Sequence, residues 1–114
     1  MPVRFWAAEL VREQLFLQLQ QELPYQLAVD TEQFKELARN QVRIDVTIYV
    51  CKDSQKHIIL GAKGSKIKQI GIVVRKQIEE ALQKKVHLFL FVKVRENWIE
   101  NPTMYTQMGM EQPG

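Results

Sequence analysis

The sequence predicts an α+β fold, one two-layer sandwich of three strands against helices, and three observations predict it. Residues 42–50, VRIDVTIYV, alternate apolar and polar without error, and KVHLFLFVKV at 85–94 sets Val86, Leu88, Leu90, Val92 and Val94 on one side of a strand. Two segments, 4–21 and 65–83, repeat apolar residues at helical spacing with polar residues between them. The chain's 114 residues, 46% of them hydrophobic, suffice for one buried core and not for two.

The elements follow in order. RFWAAELVREQLFLQLQQ places Ala8, Val11, Leu15 and Leu19 on one helical face, with Glu9, Arg12 and Glu13 off it, and this helix must end before Pro24. PYQLAVDTEQF then sets Tyr25, Leu27 and Val29 against Gln26, Ala28 and Asp30. This is a half-buried strand whose pattern fades near Thr31, with polar KELARNQ extending or linking it. In the next strand Val42, Ile44, Val46, Ile48 and Val50 face one side, and Arg43, Asp45, Thr47 and Tyr49 the other.

QKHIIL reads as a short helix, capped by Asp53 or Ser54 and stopped by Gly61. A longer helix starts at Ser65, with Ile67, Ile70, Val74, Ile78, Ala81 and Leu82 on its apolar stripe. Gly71 lies inside it at a cost of roughly 1 kcal/mol relative to alanine, so a close contact is expected there. The third strand turns Val86, Leu88, Leu90, Val92 and Val94 inward and His87, Phe89, Phe91 and Lys93 outward. Trp98 is expected to pack back, and residues 102–114 to form a partly ordered tail behind a domain spanning 1–101.

Composition narrows the chemistry. No apolar run is long enough to span a bilayer, and charged residues stand where a signal peptide would be greasy, so a soluble cytoplasmic chain is expected. Cys51 is the single cysteine, and His57 and His87 lack the spacing to complete a metal site with it. No serine, cysteine or carboxylate constellation with a positioned base is visible, so neither catalytic nor metal-ligating residues are assigned. The net charge of +3 is uneven: nine of the sixteen Lys and Arg fall within 52–85, against three acids. An anionic partner would meet that region.

Within it lies HIILGAKGSKIKQIG, residues 57–71. A helix ending at Gly61 and another starting after Gly64 need a turn open to positive φ, and the missing side chains let a foreign backbone approach. The start of the second helix presents amides and a positive dipole end to phosphate. Lys63, Lys66 and Lys68 add charge, and Ile59, Leu60, Ile67 and Ile70 supply an apolar wall. Backbone clamped by glycines beside an aliphatic floor suits single-stranded nucleic acid, as in the GXXG loop of KH modules. A nucleotide-hydrolysing P-loop does not fit, because Lys66 stands where its second glycine belongs.

Four blocks, RFWAAELVREQLF, ELPYQLAV, SQKHIILGAKGSKIKQIG and VHLFLFVKVRENW, resemble in order and spacing the C-terminal KH domain of the Era family of bacterial GTPases, over residues 4–101. The resemblance implies the type II KH fold, α-β-β-α-α-β, a three-stranded sheet packed on three helices. It also implies that the chain binds single-stranded RNA, the 3′ end of small-subunit ribosomal RNA, as the RNA-binding part of an Era-like ribosome-assembly GTPase in the bacterial cytoplasm. The partners so implied are that RNA and the small ribosomal subunit, with no membrane, and the chain is expected to be a monomer.

Carried over by position, Gly61, Ala62, Lys63 and Gly64 would form the clamp, with Ser65, Lys66 and Lys68 as adjoining phosphate contacts. Ile59, Leu60, Ile67 and Ile70 match the family's aliphatic positions, as base contacts or as core. Arg75 and Lys76 match its basic pair on the long helix, or are a solvated face. The chain differs from the family at Ala62, usually polar, and at IVVR before Arg75, where Ile72 and Val73 are more apolar. No GTPase domain is present, so no cofactor is expected here: GTP and magnesium would belong to that domain. A methionine placed directly before a mid-protein block points to a fragment. The alternative reading is a KH-fold protein-interaction or regulatory module without RNA binding, using outward Phe89 and Phe91, which could equally stack bases or be covered by the tail or another domain.

Overall fold

A computed structural model describes residues 2–24 and 26–95, and its element order is the one the sequence predicts. Helix α1, Val3–Leu19, is followed by a single 3-10 turn over Gln20–Glu22. Strands β1, Leu27–Leu37, and β2, Gln41–Val50, form an antiparallel hairpin. Helices α2, Asp53–Leu60, and α3, Ser65–Leu82, then cross back to β3, Lys85–Val94, which lies parallel to β2. The sheet order is β1-β2-β3, with the helices on one face. This is the α+β arrangement of a type II KH domain.

The core lies where the alternation puts it. Val42, Ile44, Val46, Ile48 and Val50 are buried against Val11 and Leu15 of α1 and Ile70, Val74 and Ile78 of α3. Each such side chain contributes about 1.5–3 kcal/mol by leaving water. The opposite face of the sheet is less open than alternation predicts. Thr47 is buried between its register neighbours Asp30 and Phe91, and buried Tyr49 donates its hydroxyl proton to Glu32 beneath the Arg95 guanidinium.

Three expectations are corrected. The strand does not fade at Thr31: it kinks between Thr31 and Gln33 and runs on to Leu37, because β2 pairs with it throughout and its polar residues need only a solvated edge. Thr31 itself is buried, donating to the Arg4 carbonyl at 2.6 Å while Arg4 donates to the Thr31 carbonyl, which staples α1 to the strand. Lys52, not Asp53 or Ser54, occupies the N-cap of α2 and makes no side-chain cap bond, while Gln55 reaches back to accept from the Cys51 and Lys52 amides at 2.9 and 3.0 Å. Ala81 is exposed although it extends the α3 stripe, because the helix is ending there at left-handed Gln83. The expectations for Trp98 and the tail fall outside the described residues.

Candidate nucleic-acid interface

The α2–α3 corner is built from two glycines with different tasks. At Gly61, φ 73 and ψ −179, the amide closes α2 by donating to His57 O at 3.0 Å. A Cβ there would stand 2.6 Å from the Lys66 Cβ and 2.9 Å from its amide nitrogen, so a bare backbone is what lets α3 begin against the end of α2. Ala62–Gly64 form a 3-10 turn in which Lys63 is left-handed, φ 54 and ψ 30. Gly64 follows, left-handed at φ 73 and ψ 14, and among the described residues nothing lies within 4 Å of where its Cβ would be. Gly61 thus serves packing within the chain, whereas Gly64 leaves open space in front of α3.

What faces that space is cationic and partly hydrated. Ala62, Lys63, Ser65 and Lys68 are exposed and Lys66 is half-buried. Gly64 occupies the N-cap of α3 and has no side chain to offer its amides. Two amides are nonetheless engaged: Gly64 N–H donates to Gly61 O at 3.2 Å, and Ser65 N–H to Ala62 O. What the corner offers an anion is chiefly the helix dipole, the lysines and close access, and less the orphan amides that the sequence alone suggests.

The apolar residues divide by depth. Ile59 and Ile70 are both 0% exposed and brace the corner from beneath, where no base reaches them. Leu60 and Ile67 are half-buried at the core's margin and keep a surface for contact. Two aliphatic residues outside the predicted wall stand open, Ile58 at 36% and Ile72 at 40% exposure. Their signal was present: each lies off its helix's buried stripe. Ile72 shares a face of α3 with Ser65, Lys68 and Arg75, so it is the one apolar member of an otherwise polar row.

Arg75 and Lys76 stand ten and eleven residues into α3, about 15 Å from the loop at the helical rise. The Arg75 guanidinium lies 3.2 Å from Glu79, whose other carboxylate oxygen accepts the Val86 amide at 3.0 Å. This arginine thereby helps dock β3 onto the end of α3, and Lys76 is exposed beside it. Elsewhere the histidines are occupied locally, His57 by Asp53 and His87 by Gln41. Among the described residues no group of three or more His, Cys, Asp or Glu stands together to hold a metal ion, and no helix is long and apolar enough to cross a membrane. A cleft of about 360 Å³ opens between the start of α1 and residues 29–32 of β1, away from the loop. A strand laid over a ridge needs no such cavity.

A helix–GXXG–helix corner beside a three-stranded sheet of this topology defines a KH-type module. The family model described as a KH domain matches residues 22–99, and the chain belongs to that family. It is 54% identical to GTPase Era of Mesorhizobium japonicum over 99% of its own length and 36% of the relative's. GTPase Era of Brucella suis is 52% identical, with 98% and 36% covered. The chain thus spans about a third of the curated relatives it matches. Among solved structures, Aquifex aeolicus Era bound to GDP and aluminium fluoride superposes with a TM-score of 0.85 at 34% identity, over 96% of this chain and 37% of that one. Era in complex with MgGDPNP and nucleotides 1506–1542 of 16S ribosomal RNA superposes with a TM-score of 0.86, also at 34% identity and over the same shares.

Proposed function

We propose that the chain is a single-stranded RNA-binding module that holds a few unpaired nucleotides across the corner at 61–64, and that its RNA is the 3′ end of small-subunit ribosomal RNA. The observation that carries this reading is the open space at Gly64, bordered by Lys63, Lys66 and Lys68 at the uncapped start of α3. Phosphates would lie against that space, while bases meet Leu60, Ile67 and the exposed Ile58. Ile59 and Ile70 support the corner, and Arg75 and Lys76 would touch only a longer strand. The similar Era structure with ribosomal RNA supports the choice of RNA.

In this reading the chain performs no catalysis. It serves the small ribosomal subunit in the bacterial cytoplasm as the RNA-gripping part of an Era-like GTPase, as a monomer, and guanine nucleotide with magnesium belongs to the part of the relatives that this chain does not span. Titration with a short RNA ending like the small-subunit ribosomal RNA, a scrambled strand and a duplex of equal length tests it. The expected order of affinity is cognate, scrambled, duplex; preference for the duplex would reject single-strand recognition.

A further inference from the structure

The outward face of β3 carries a second feature that the corner does not use. Its row reads Lys85, His87, Phe89, Phe91, Lys93, and no residue of the strand is acidic. Phe89 and Phe91 are each 43% exposed. Arg43, Phe89's neighbour but one on β2, lays its guanidinium 4.6 Å from the Phe89 ring centroid while pairing with Asp45 at 3.1 Å, and Arg95 prolongs the cations of β3. Exposed aromatic rings on a basic strand suit bases, whose π-faces and phosphates are matched together.

The spacing fits as well. Two residues along a strand advance roughly 6.6 Å, about twice the 3.4 Å rise of stacked bases, which is the reach of a strand whose bases have been pulled apart. Position supplies the continuity: β3 is an edge of the sheet, and α2, which ends at the corner, packs against it. A strand leaving the corner along β3 turns round one sheet edge to arrive on the phenylalanines.

We infer that the outer face of β3 is a second RNA contact, in which Phe89 and Phe91 stack successive unpaired bases and Lys93 and Arg95 take the intervening phosphates. The inference rests on the reading that the corner grips a single strand, and it extends the bound length beyond the loop. Its test compares single strands of about four and about twelve nucleotides, the shorter filling only the corner. With the full chain, Phe89→Ala with Phe91→Ala should weaken the long strand by about tenfold or more and leave the short strand within about twofold.

Phe91→Trp should restore the long-strand affinity, and its fluorescence should quench with the long strand only. Unchanged long-strand affinity, an equal loss for both lengths, or self-association that disappears in the alanine variant would overturn the inference. Ala62→Asp with Lys63→Asp should weaken both lengths. Should that variant bind the four-nucleotide strand normally, the corner reading fails, while the phenylalanine comparison on the long strand is still read separately.

Discussion

Gly61 and Gly64 share a φ of 73, yet their surroundings separate what each does. Alanine at Gly61 meets both a backbone cost on the order of 1–3 kcal/mol, since ψ −179 at this φ is a conformation essentially restricted to glycine, and a collision with the first turn of α3. Gly61→Ala should therefore lower the unfolding midpoint markedly. Gly64→Ala meets only the backbone penalty, but its methyl occupies the open space, so RNA affinity should fall while the protein stays folded. Denaturation and titration of both variants check this; equal RNA affinity for Gly64→Ala and wild type would mean that no ligand enters there.

Asp30 offers a separate test of the sheet's outer face. Burial, aided by the neighbouring Glu32 carboxylate, pushes its pKa up to about 6. Because the folded state holds the proton more tightly than the unfolded chain, ionisation of Asp30 removes stability as pH rises from about 4 through 6. Asp30→Asn should therefore raise the melting temperature at pH 7.5 and give no advantage below pH 4. An equal effect at both pH values would place the gain elsewhere. At this scale the sequence was legible for kinds of residue and not for depth: the aliphatic wall was recognisable, but helical periodicity does not say that Ile59 and Ile70 are sealed while Ile58 and Ile72 stand open.

Among the elements, those that bury one face against the core were readable from their periods. Strand β2 is the clearest, because a one-residue slip would turn its five inward isoleucines and valines to the other face, and α3 follows, with Ile70, Val74 and Ile78 repeating at helical spacing. The second half of β1 was not readable, since residues 32–37 owe their strand conformation to pairing with β2 and not to any pattern of their own. Gly71 shows the same limit. Its position suggested a close backbone approach, yet the nearest atom to its would-be Cβ is a Leu90 methyl at 3.5 Å, an ordinary contact. Gly71→Ala should thus stabilise α3 by roughly 0.5–1 kcal/mol, seen as a higher urea midpoint with RNA affinity unchanged. A lower midpoint would show that the Leu90 side chain cannot accommodate the methyl.

For the molecule as a whole, charge is distributed unevenly: the region 52–85 is basic, and the rest carries the balancing acids. If Lys63, Lys66 and Lys68 each meet a phosphate, the logarithm of the affinity should fall against the logarithm of salt concentration with a slope of about −2 for a short single strand. The most direct measurement is the affinity and salt slope of the variant carrying Ala62→Asp and Lys63→Asp, beside wild type, on one short single-stranded RNA. Aspartate tolerates the left-handed backbone at 63, so the far-ultraviolet circular dichroism should be unchanged. The account predicts an affinity loss of about tenfold or more and a flatter slope. Affinity and slope equal to wild type would contradict it.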